Sequence, residues 1–177
     1  GDWSSDVCSS DLFDFDLDNM ARLFRMADFP VVCANYDVSA TVLKDLVKPY
    51  VVFERDGVKI GVLGLGCQLE GMVQANKCVG VVYNDPVTVA NEVAAVLKEK
   101  EGCDVVVCLS HLGVQYDENQ LIPKTRNIDV VLGGHSHTFM KGPKTLLNMD
   151  GKNVSLMHTG KSGIYVGQMD LTLEKKK

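Results

Sequence analysis

Two short segments constrain this chain more than any others, because each is a β-branched apolar run that ends in histidine. Residues 104–109 lead into Ser110-His111-Leu112-Gly113, and residues 128–132 lead into Gly133-Gly134-His135-Ser136-His137. Runs of this length and composition read as buried strands. An imidazole just past the end of each strand would stand at the carboxyl edge of a sheet, where α/β folds place their ligands. Three of the chain's four histidines fall there, which points to a metal site.

The rest of the pattern is a mixture of helix–strand units and hairpins. Apolar residues at positions 17, 20, 23, 24 and 27 have helical spacing, with Asp16 or Asp18 placed to cap the start. Pro30 ends that helix, and residues 31–34 read as a strand. Residues 50–63 read as a hairpin turning on Asp56-Gly57, a pair suited to positive φ. Residues 64–83 form a long loop holding Gln68, Glu70, Gln74 and Asn76. Asp85 caps a helix from Pro86 to about Glu99, with proline at the first helical position. A short helix is expected near 117–125, a second Asp-Gly hairpin over 146–157, and a last strand over 164–173. Hairpins mixed with helix–strand units imply an α/β domain with mixed sheets.

Composition narrows the class. The chain has 177 residues, 46% hydrophobic and 23% charged, as expected for one globular domain or part of a larger one. Its net charge of −5 disfavours a nucleic-acid partner, and no stretch has the apolar length of a membrane span. No signal peptide opens the chain. Residues 1–12 resemble the conceptual translation of a short-read sequencing adapter through eleven consecutive residues, Asp2 to Leu12. They are expected to be an artefact and are set aside, so the natural sequence is expected to begin near Phe13. Without Asp2, Asp6 and Asp11 the net charge moves from −5 to −2.

The remaining cysteines are Cys33, Cys67, Cys78, Cys103 and Cys108, with no C-x-x-C pair among them. Cys33, Cys103 and Cys108 lie in apolar runs and read as small buried hydrophobes. A bridge between Cys67 and Cys78 across the loop stays open, so the cysteines do not settle the compartment.

Imidazole suits borderline divalent metals, and a two-metal centre suits phosphoester hydrolysis because it offsets charge on both the attacking and leaving oxygens. In extended chain His135 and His137 would face the same way, with Gly133-Gly134 letting the backbone turn beneath them. Asp104 and Asp129 begin their strands, at the end away from the cleft, and read as structural. His158 sits in an apolar alternation and reads as a hydrogen-bonded structural group, and Asn35 as a turn residue. Tyr116 and Asp117 follow the His111 loop and could lie near the cleft, as could Gln68, Glu70 and Asn76. On the residues alone, the three imidazoles are either metal ligands or satisfied surface and core groups.

With these residues in view, the chain resembles the calcineurin-like metallophosphoesterases, in their 5′-nucleotidase branch. Ser110–Gly113 and Gly133–His137 are similar to two of the family's metal motifs, residues 50–64 to its central hairpin, and residues 154–171 to its closing strands. The resemblance covers residues 13–173. It implies a four-layer α/β/β/α sandwich, present here in part, with residues 13–177 forming the C-terminal portion of the domain. It also implies two divalent ions, Zn, Mn or similar, at the strand ends. His111 and His135 would bind one and His137 the other.

The family's earlier motifs are an Asp-x-His, a bridging Asp and an Asn-His-Glu segment. Ser10, Asp11 and Leu12 stand where Asn, His and Glu would be, so no catalytic residue is assigned. The intact parent is expected to hydrolyse a small phosphate ester, most simply a nucleotide. Related readings are a phosphatase of cyclic nucleotides or sugar phosphates, and a non-catalytic binding module of the same fold. This chain is expected to hold at most one metal weakly, to be inactive, and to be poorly soluble. The resemblance further implies a periplasmic or cell-surface location and a separate C-terminal domain that grips the nucleoside.

Overall fold

The computed structural model describes Phe13 and residues 16–173, so the adapter-like segment 1–12 lies outside the described residues. Helix α1 (Leu17–Met26) starts where the Asp16 carboxylate accepts a hydrogen bond from the Asn19 amide at 2.7 Å, filling one of the open donors of a first turn. It ends at Ala27, ahead of Pro30. Three two-residue strands follow, β1 (Val31–Val32), β2 (Tyr36–Asp37) and β3 (Val47–Lys48).

The hairpin of β4 (Tyr50–Arg55) and β5 (Val58–Leu65) turns on Asp56 and Gly57. Both have positive φ, 52° and 76°, which matches the strand twist in a two-residue hairpin. After β6 (Val82–Tyr83), the Asp85 side chain accepts from the Thr88 amide and opens α2 (Pro86–Ala95), which continues as a wider turn over Val96–Lys100.

Strand β7 (Val105–Ser110) leads into a helical stretch, α3, over Val114–Tyr116, Asp117–Leu121 and Ile122–Lys124. This helix begins three residues earlier than its sequence suggests. Strands β8 (Val130–Gly133), β9 (Lys144–Leu147) and β10 (Asn153–His158) complete the order.

Six strands form one mixed sheet in the order β4-β5-β7-β8-β10-β9. The four inner strands run parallel and the two edges antiparallel. Register places Leu65, Ser110, Gly133 and His158 in one row across the carboxyl end of the parallel strands. At the opposite edge the Asp104 carboxylate accepts from the Lys59 amide. Asp129 accepts from the Val106 amide and pairs with Lys98 at 2.8 Å. These two aspartates cap the far end of the sheet, as their positions imply.

The main core lies between the sheet and helices α2 and α3, built from Leu63, Leu97, Val106, Cys108, Leu121, Val131 and Leu156 among others. The other face is less covered, with Val107, Leu109, Leu132 and Met157 half-buried. A second, smaller cluster joins α1 to Phe13, Tyr36, Val38, Leu43 and Leu69. The mixed α/β expectation holds. The strand expected over 164–173 does not form: those residues join no ladder, and Ile164, Tyr165, Val166, Leu171 and Leu173 are exposed. Their apolar–polar alternation is only partial, and a strand exists only where a neighbour takes its backbone hydrogen bonds.

Leu97 sits directly over Gly61, where a Cβ would stand 2.8 Å from its Cδ2. Leu97→Ala should therefore lower the unfolding free energy by about 2–5 kcal/mol. Substituting exposed Leu147 by Thr should change it by less than about 0.5 kcal/mol. Urea denaturation of the two variants checks both.

Candidate metal centre

The row Leu65–Ser110–Gly133–His158 is the floor of the site. Two hydrogen bonds carry the ladder one residue past the strands: His111 N donates to Leu65 O, and Gly134 N to Ser110 O, both at 2.8 Å. His111 and His135 therefore leave adjacent parallel strands side by side. Their rings meet edge to face with centroids 5.0 Å apart, and His135 Nδ1 lies 3.3 Å from His111 Nε2. His111 is buried, with 7% of its surface exposed, and His135 is half-buried.

Two nitrogens at that separation suit either one shared proton or one ion. Nitrogens bound to a tetrahedral zinc at about 2.0–2.1 Å stand about 3.3–3.4 Å apart. The spacing of the donor pair therefore matches that of two ligands on one divalent ion.

Backbone geometry around the second histidine motif departs from expectation. His135 and His137 both have left-handed φ, 70° and 53°, so the chain here is not extended and the i, i+2 argument does not apply. Such backbone costs an L-residue about 1–2 kcal/mol and collects at functional sites. His137 is exposed. The loop is held by Ser136, whose Oγ accepts from the Val114 amide at 3.1 Å and lies 2.9 Å from Thr138 Oγ1. Gly113, at φ 90°, comes close to the same loop: a Cβ there would lie 3.4 Å from His135 Cδ2.

Beneath the histidines runs a buried polar chain. Ser110 Oγ donates to Asp117 Oδ1 at 2.5 Å, and Asp117 Oδ2 lies 2.9 Å from His158 Nε2, with both residues almost wholly buried. A carboxylate accepts there, so Nε2 carries the proton. His158 is thus the hydrogen-bonded structural group its sequence position suggests, and Asp117 supports the cleft from below. Gly133 leaves room for this pair; a Cβ would stand 2.0 Å from His158 Nε2 and 2.7 Å from Asp117 Oδ2.

The residue that sequence reasoning missed is Cys67. One ligand atom each from Cys67, His111 and His135 lie within 4.8 Å of one another, and this is the only such group among the described residues. Cys67 and Cys78 are both free thiols, so the bridge left open across the loop is not made. Cys67 follows the carboxyl end of β5, which neighbours β7. The rule that singled out His111 would have found it had the strand been extended past Leu63. Cys103 and Cys108 are buried as expected, and Cys33 is half-buried. Burial pushes the Cys33 thiol up to about 12 and Cys108 well above its ordinary value. Gln68, Glu70 and Asn76 are exposed, and the Glu70 carboxylate is not a member of the group. Asn35 is fully buried and is a clamp rather than a simple turn residue: its side chain accepts from Gly66 N at 2.7 Å and donates to Gly66 O at 2.9 Å. Among the described residues no helix is long and apolar enough to cross a membrane.

No protein-family model matches the chain. A trifunctional nucleotide phosphoesterase, YfkN, of Bacillus subtilis is 27% identical over 170 residues, covering 86% of this chain and 11% of that protein. Its solved structure, described as a calcineurin-like phosphoesterase, shares the fold at a TM-score of 0.69 and 24% identity, over 85% of this chain and 52% of that one. A 5′-nucleotidase of Vibrio cholerae is 31% identical over 146 residues, covering 74% of this chain and 26% of the relative. The crystal structure of a 5′-nucleotidase precursor from Thermus thermophilus matches with a TM-score of 0.78 and 29% identity, over 84% of this chain and 31% of that one. The chain spans about a quarter or less of the length of these two curated relatives.

Gly133→Ala forces the buried Asp117–His158 pair apart and should cost about 2–3 kcal/mol. Gly142→Ala, with nothing within 4 Å of the added carbon, should leave stability near that of the parent sequence. Thermal melts of the two variants check the contrast.

Proposed function

We infer that this chain, whose homologues are 5′-nucleotidases and calcineurin-like phosphoesterases and whose fold is theirs, is the C-terminal portion of a metallophosphoesterase domain that hydrolyses nucleotide phosphates. The observation that carries this reading is the 3.3 Å approach of His135 Nδ1 to His111 Nε2 at two adjacent strand ends. We assign His111 and His135 to one divalent ion and His137 to a second. Such ions supply a low-pKa water at neutral pH and offset charge on the phosphoryl oxygens.

The chain's own residues hold the geometry. Ser110, Asp117 and His158 fix the strand ends from below, so both imidazoles are positioned before any ligand arrives. Gly134 leaves space beside His111 Nδ1, which a Cβ would approach to 3.1 Å. The sequence contains no Asp-x-His and no Asn-His-Glu; its histidines are His111, His135, His137 and His158 alone. The bridging carboxylate and the imidazole that assists the leaving oxygen are thus not among its residues. We assign the activity to the whole protein, with a nucleotide as substrate, a further domain gripping the nucleoside, and a periplasmic or cell-surface location.

Purified whole protein should carry bound divalent metal and release phosphate from a nucleoside 5′-monophosphate. His135→Ala should weaken metal binding at least about tenfold and lower kcat in step. Absence of bound metal in the purified protein overturns the reading. This 177-residue chain by itself should release no measurable phosphate from the same substrate. Turnover comparable to a complete enzyme would contradict the assignment of the missing groups.

A further inference from the structure

We propose that Cys67 is a metal ligand, so that this chain grips its ion with a Cys–His–His donor set. The proposal rests on the metal reading of His111 and His135 and adds to it a ligand of a different chemical class. Its first support is convergence. Cys67 offers a sulfur atom within 4.8 Å of ring nitrogens of both histidines, and no carboxylate joins that group among the described residues. A zinc-bound sulfur at about 2.3 Å and a zinc-bound nitrogen at about 2.0–2.1 Å stand about 3.6 Å apart. The separations here, within 4.8 Å, approach that range.

Its second support is the way the residue is held. Cys67 is not on a free loop; only 6% of its surface is exposed. The Asn35 side chain brackets Gly66 through both its amide and its carbonyl, at 2.7 and 2.9 Å. The Tyr36 hydroxyl donates to the Cys67 carbonyl. Gly66 itself is required, because a Cβ there would enter the Tyr36 ring at 2.3 Å. One residue earlier, Leu65 O receives the His111 amide. The backbone carrying the thiol is thus fixed on both sides, and one of those fixings is the backbone of a partner ligand. Ligands so preorganised lose little freedom on binding.

The chemistry is a plain Lewis acid–base step. The sulfur lone pair forms the bond to the ion, the S–H bond breaks, and its proton leaves to solvent; nothing is oxidised or reduced. A thiolate is soft, so the set favours Zn²⁺, Co²⁺ or Cd²⁺ over Mn²⁺ or Mg²⁺. Three protein ligands leave one tetrahedral position open.

The test uses the metal-free chain titrated with Co²⁺. The expected spectrum has visible d–d bands and a near-ultraviolet thiolate-to-cobalt charge-transfer band. Cys67→Ser should abolish the charge-transfer band, keep the d–d bands, and weaken Zn²⁺ binding at least about tenfold. Visible bands without the charge-transfer band in the parent sequence overturn the proposal and leave the histidine pair standing. So does a charge-transfer band that survives in Cys67→Ser. If no Co²⁺ binds at all, both the proposal and the metal reading fall. A measurement without any variant runs beside these: bound Zn²⁺ should slow alkylation of Cys67, followed by mass spectrometry of its peptide, and leave Cys78 unchanged. Equal slowing at both thiols, or at neither, overturns the proposal.

Discussion

The row of residues that ends the four parallel strands sets the position of every group in the cleft. Leu65, Ser110, Gly133 and His158 are aligned by ladder register. A slip of one residue on any strand would send its side chains to the other face. Because β5, β7, β8 and β10 run the same way, their carboxyl ends open on one edge, and the residues that follow them meet there. His111 and His135 approach because two backbone hydrogen bonds continue that alignment past the strands. The approach of the two imidazoles is therefore a property of sheet register more than of the loops.

Buried polarity secures the same row from beneath. Ser110 and His158 are members of it, and both bond to Asp117 on the helical stretch between β7 and β8. A buried carboxylate is tolerated only with its acceptors used, and here both oxygens are. Gly133 completes the arrangement by having no side chain. The sequence at this edge is thus fixed by three demands at once: strand pairing, space for the hydrogen-bonded Asp117–His158 pair, and exit of the imidazoles.

Much of this was legible in the residues alone. The β-branched runs before His111 and His135 announce strands, and the Asp56-Gly57 pair announces its hairpin, because each signal is local and strong. Asp104 and Asp129 read correctly from strand polarity. What failed depended on non-local facts. Cys67 was hidden because the end of β5 is obscured by glycines at 61, 64 and 66, which the alternation of apolar side chains does not register. His135 and His137 adopt left-handed backbone, which only a few per cent of non-glycine residues take and which side-chain alternation does not signal. The segment 164–173 has strand-like composition, but composition cannot supply a neighbour.

Asn35 has a consequence of its own. It sits beside Tyr36 in the smaller apolar cluster, its side chain clasps the end of a strand from the main one, and its carbonyl accepts from Asn84 just ahead of α2. The two cores are thereby sutured at the rim of the cleft, by the Asn35 amide on Gly66 and the Tyr36 hydroxyl on the Cys67 carbonyl. Unfolding of either one tears that stitch, so the two halves are mechanically yoked through the place where a ligand would sit.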